Sequence, residues 1–184
     1  MKTIYQSIFI IASYLLSAVA FAHGNHEVQV ANSQQFISGL LHPFSGMDHL
    51  LALLFIAILL KKSRLPMIKS VTALITLMAI GAASGLVFGA QGWIEAAILM
   101  SLAAMFMLLW IKPVQIQKLV LAVCSLAIIT QGWAHAAFAS TAALSILHEM
   151  QFISGVLVSS LLLLSVFATT ASLMMQIRQA QYVR

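Results

Sequence analysis

Charge is what this sequence has least of. Only 7% of its 184 residues are Asp, Glu, Lys or Arg, against about 25% in an ordinary soluble domain. So few charges cannot cover a water-facing surface, which excludes a soluble globular protein and points to the bilayer. Cysteine is nearly absent too. The single Cys124 excludes an internal disulfide and any Cys-x-x-Cys redox or zinc motif. Lying within an apolar run, it reads as a small buried hydrophobe. There is no P-loop, no nucleophile elbow and no His-Glu-x-x-His. A Ser-His-Asp set using Ser45 is arithmetically available, but nothing activates it, so no enzyme is expected. The net charge of +5 is spread thinly along the chain, and no nucleic acid partner is expected.

What the chain has instead is long apolar runs. Residues 1–22 read as a secretory signal peptide: Lys2 opens it, an apolar stretch follows, and Ala20-Phe21-Ala22 fits the cleavage pattern. Residues 23–35 are short and polar, and after an export signal they are expected outside the cytoplasm. Residues 36–184 form the membrane domain. Spans are expected near 36–60, 68–90, 93–111, 119–139 and 152–174, each near the roughly 20 residues that cross a bilayer. The fold class is therefore an all-α, polytopic transmembrane helix bundle, with about five mature spans after a cleaved signal peptide. Gly81, Gly85 and Gly89 recur every four residues in the second span, the small-xxx-small pattern of close helix packing.

Topology can be checked against the basic residues. With the mature N-terminus outside, Lys61, Lys62, Arg64, Lys69, Lys112, Lys118, Arg178 and Arg184 all fall inside. The same assignment puts all four acidic residues and all six histidines outside or in the outer half of the membrane. Every nitrogen or oxygen side chain suited to a metal therefore lies near one face. The expected location is a bacterial inner membrane, N-terminus periplasmic and C-terminus cytoplasmic.

Among these groups one stretch is dense: His42-Pro43-Phe44-Ser45-Gly46-Met47-Asp48-His49. Ionisable groups against a hydrocarbon span are costly, and by default they mark function. Two imidazoles and a carboxylate suit a divalent first-row metal. In a straight helix His42 and His49 share a face but stand about 10.5 Å apart along the axis. Two ligands of one ion, each about 2.1 Å from it, lie only a few ångströms apart. Either the backbone breaks here and the imidazoles converge, or an ion passes between them. Pro43 suits a helix's first turn and Gly46 permits unusual backbone angles. Asp48 is either a direct ligand or the partner that holds a histidine N–H. Glu95 and His135 are further candidate ligands from other helices. His23, His26, His148 and Glu149 are secondary ones.

The stretch from Gly39 to Ala52 resembles the HupE/UreJ family, whose hallmark is His-Pro-x-x-Gly-x-Asp-His at the start of the first mature helix. His42, Pro43, Gly46, Asp48 and His49 match its fixed positions. Glu95, in Gly92-Trp93-Ile94-Glu95, resembles the family's glutamate at a later helix start. Where the family often carries His-Gly-His-Ala-His, this chain has Gln131-Gly132-Trp133-Ala134-His135, so only His135 remains. The resemblance implies a small inner-membrane permease for nickel or cobalt, linked to hydrogenase or urease maturation. No prosthetic group is expected; Ni²⁺ or Co²⁺ is cargo. Possible partners are metalloenzyme maturation proteins and a second copy of the chain. The competing expectation is a membrane-held metal chaperone or sensor that does not transport. A continuous polar path to the inner face would separate the two.

Overall fold

The structure, a computed structural model, describes residues 35–111, 116–141 and 145–182. The expected signal peptide lies outside the described residues, as does nearly all of the 23–35 segment, including His23 and His26. All described regular structure is helical. It comprises α1 (Gln35–Ser45), α2 (Met47–Lys62), α3 (Met67–Phe88), α4 (Ile94–Leu108), α5 (Gln117–Thr141) and α6 (Ile146–Tyr182).

The first expected span is broken. α1 and α2 meet at Gly46 with a bend of 73°. Pro43 sits in the last turn of α1, not in the first turn of the next helix. It lacks the N–H that would bond the Gly39 carbonyl, so it weakens the helix end. Two residues on, the Ser45 hydroxyl donates to the His42 carbonyl at 2.7 Å and satisfies one of the loose acceptors. α2 then starts without a side-chain cap at Gly46.

Among the described residues, three helices are long and apolar enough to cross a bilayer: Met67–Phe88, Gln117–Ala137 and Ile146–Met174. The broken pair α1 and α2 makes a fourth if counted as one span. The expected third span is helical only over Ile94–Leu108. Its 15 residues rise about 22 Å, short of a hydrocarbon core about 30 Å thick. α6 departs the other way. It begins at Ile146, so His148 and Glu149 lie in its first turn and not in a link.

Glycines set how closely the helices approach. A Cβ on Gly81 would collide with the Ile129 carbonyl, and one on Gly132 with the Met78 carbonyl. α3 and α5 therefore pack backbone to backbone, as the small-residue spacing predicts for Gly81 and Gly85. Gly89 takes a different part: it ends α3 at φ 65°, with open space around it. Gly132 is likewise a packing residue. A second close crossing joins α1 to α6, where a Cβ on Gly39 would meet the Phe152 carbonyl and one on Gly155 the Phe36 carbonyl. Between these crossings the core is filled by Leu53, Ile56, Leu59, Leu74, Met105 and Ile128.

The two ends of the bundle differ in chemistry. At one end the Lys62 ammonium donates to the Leu109 carbonyl at 2.5 Å, and the Gln117 amide donates to the Ser63 carbonyl at 2.6 Å. Lys61, Arg64, Lys69 and Lys118 belong to the same helix ends and link. At the other end Trp133 donates from Nε1 to the Gly89 carbonyl at 2.9 Å and packs against Phe88 and Trp93. His135 lies one half-turn beyond Trp133, at this second end.

Candidate metal centre

The break at Gly46 turns the last turn of α1 back over the first turn of α2. His42 ends α1, and His49 stands in the first turn of α2. α5 brings His135 to the same place. The ring centroids are 5.8 Å apart for His42 and His49, 4.9 Å for His42 and His135, and 4.3 Å for His49 and His135. One nitrogen from each ring can be chosen so that all three lie within 4.8 Å of one another. Nε2 of His49 and Nε2 of His135 approach to 2.5 Å. His135 is 3% exposed, His49 is buried and His42 half-buried. Phe152 of α6 closes the side of His42 edge-on, ring centroids 5.3 Å apart.

Asp48 lies on the other side of His49. Its Oδ2 is 3.0 Å from His49 Nδ1. The separation is that of an ion pair, but the angle is not that of a hydrogen bond. Asp48 Oδ1 and His49 Nδ1 both lack a hydrogen-bond partner, and both are buried. An unsatisfied buried polar group costs roughly 1–3 kcal/mol, more when charged. No lysine or arginine among the described residues belongs to this end of the bundle. A buried carboxylate and three imidazoles, with no lysine or arginine beside them, are a donor set that suits a cation. With Asp48 toward Nδ1, the His49 nitrogen that meets His135 is Nε2.

Gly46 makes room for this arrangement. A Cβ there would lie 2.9 Å from both Asp48 Oδ1 and His49 Nδ1. The other described sequence candidates are not among the three convergent groups. Glu95 is exposed in the first turn of α4 and is not one of the three convergent groups. His148 is half-buried, its Nδ1 3.0 Å from the Ser145 hydroxyl. Glu149 is buried but outside the three-imidazole set. Sequence reasoning passed over Phe152, Gly39 and Gly155, which position His42. Their only signal was one small residue in each of two distant apolar runs.

A model of the HupE / UreJ protein family matches residues 11–184. The chain belongs to the HupE/UreJ family. No curated protein and no solved structure matches the chain. HupE/UreJ membership, together with the apolar helices, makes this a membrane protein with a role in nickel or cobalt uptake or as a urease or hydrogenase accessory. His42, Asp48 and His49 lie within the matched residues and are gathered at the break between α1 and α2.

Proposed function

We propose that this chain is a secondary permease that takes up a divalent transition metal, Ni²⁺ or Co²⁺, across the bacterial inner membrane. One observation carries the reading: three imidazoles from three helices converge within 4.8 Å beside a buried carboxylate that has no lysine or arginine partner among the described residues. His42, His49 and His135 bind the ion, and Asp48 holds the His49 ring through its second nitrogen. Neutral imidazoles suit borderline first-row ions, whereas magnesium and calcium select oxygen ligands. The basic end of the bundle faces the cytoplasm by the positive-inside rule, which turns the imidazole end to the periplasm. Glu95 lies at that same outer face and takes no part in holding the ion. No catalytic step is assigned to the chain.

A second reading has its own support. On the inner side of the imidazoles the helices are packed with Leu53, Ile56, Leu59 and Ile128, all fully buried. A sealed apolar core is what a metal-binding accessory protein, a chaperone or a sensor, requires. The permease must open it.

Vesicles containing only this protein, wild type beside His49→Ala and His135→Ala, decide between them. The permease accumulates radioactive nickel or cobalt above empty vesicles, and both variants fail to. If the wild type binds metal while the lumen stays empty, the accessory reading replaces it.

A further inference from the structure

A second carboxylate at the imidazole end is left over by the site just described. Glu149 lies in the first turn of α6, only 9% exposed. Its backbone N–H donates to the Ser145 carbonyl at 3.1 Å, while its carboxylate has no hydrogen bond or ion pair with any described residue. Acidic residues in the first turn of a helix are ordinary, because they complement the helix dipole. They do that from the surface, however, and burial of this carboxylate is not required for it. Among the described residues, the lysines and arginines of known placement sit at the opposite helix ends. An acidic residue this little exposed at the edge of a membrane helix, with no lysine or arginine beside it, marks a pathway by default.

The crossing of α1 and α6 fixes where Glu149 stands. Gly39 faces Phe152, and Phe36 faces Gly155. Each step of three forward along α1 is thus a step of three back along α6. One more step sets His42 opposite Glu149. The edge-on contact of His42 with Phe152 agrees with this register. Glu149, Phe152, Ile153 and Val156 are all buried, and their spacing puts them on one face of α6. Glu149 is the outermost of the four, one turn nearer the helix start than Phe152. It is also not one of the groups that share the imidazole centre.

We propose that Glu149 is a capture carboxylate on the outer side of the three-imidazole centre. It draws a hydrated dication to the α1–α6 crossing and passes it to His42. The assignment rests on the metal-binding reading of His42, His49 and His135. In it Glu149 speeds admission and adds affinity, but is not required to hold the bound ion. His42, the most exposed of the three imidazoles, is the first to receive it.

The test uses the full chain in lipid nanodiscs, with Ni²⁺ or Co²⁺ as the probe. Association rate and equilibrium binding are measured at low and high salt for wild type, Glu149→Gln, Glu149→Asp and His135→Ala. Glu149→Gln keeps the shape and removes the charge. It is expected to bind the same number of ions with an association rate about tenfold lower at low salt, the gap closing as salt screens the carboxylate. Glu149→Asp restores the rate. If Glu149→Gln matches wild type in rate and affinity while His135→Ala loses the ion, Glu149 is only structural and the imidazole centre stands without it. If wild type itself binds no ion, the metal reading fails and takes this proposal with it. Should Glu149→Gln fail to fold, the wild-type rate decides: a rate indifferent to salt overturns the capture role.

Discussion

At Gly46 the missing side chain matters more than the backbone. Its φ of −106° and ψ of 112° are extended angles that any residue adopts. The space where a Cβ would stand is taken instead by Asp48 Oδ1 and His49 Nδ1. The sequence suggested that this glycine allows unusual dihedrals; the structure gives volume as the reason. Asp48 acts from behind His49, so its removal leaves all three imidazoles in place and loosens one of them. Asp48→Asn is therefore expected to weaken Ni²⁺ or Co²⁺ binding by about 10- to 100-fold without changing stoichiometry, the usual effect of losing an outer partner of a ligating histidine. Isothermal titration checks it; loss of the whole binding step would make Asp48 a direct ligand. The motif residues were legible from their types alone, because ionisable side chains stand out against hydrocarbon. Their convergence was not, since a straight helix keeps His42 and His49 about 10.5 Å apart.

The helices are held at two glycine crossings, and these make an energetic prediction. At Gly132 an added Cβ meets the Met78 backbone carbonyl, which cannot rotate away. Gly132→Ala is expected to destabilise the bundle by about 1–3 kcal/mol, the usual cost of overpacking. Gly92 has nothing within 4 Å of its Cβ position. Gly92→Ala is expected to stay within about 0.5 kcal/mol of wild type, as exposed substitutions do. Thermal unfolding in detergent compares the two; equal midpoints would mean α3 and α5 do not meet as closely as described. Spacing alone identified Gly81 and Gly85 as packing residues but included Gly89, which closes the helix by its positive φ. A four-residue repeat gives a helix face and no information on where the helix ends. α4 shows the same limit: its apolar run extends past Leu108, but the helix does not.

Among the described residues the imidazoles occupy one end of the molecule and the basic side chains the other. With the basic end in the cytoplasm, an inside-negative potential pulls a dication inward. The driving force is about 2.3 kcal/mol per charge per 100 mV, hence roughly double that for a divalent ion. Accumulation in vesicles is expected to need this potential and no ATP. An imposed inside-negative potassium diffusion potential should raise nickel or cobalt accumulation, and collapsing it with an ionophore should return the level to that of empty vesicles. Accumulation indifferent to the potential would mean that another gradient drives it. On the permease reading, helices must move to open the apolar core between the two ends. The broken pair α1 and α2 joins the site to that core at Gly46.

Composition by itself determined that this chain lives in a membrane, because too few charges remain to face water. Residue type and spacing determined the family motif, the apolar segments and the separation of basic from imidazole groups, since each is a local property of the chain. Only the tertiary structure decided that His135, 86 positions from His49, completes the cluster while Glu95 does not. It also decided that Glu149 is buried in the first turn of α6. Those placements follow from a 73° break and two backbone-to-backbone crossings. Such contacts join segments far apart in the chain, and no local pattern encodes which segments meet.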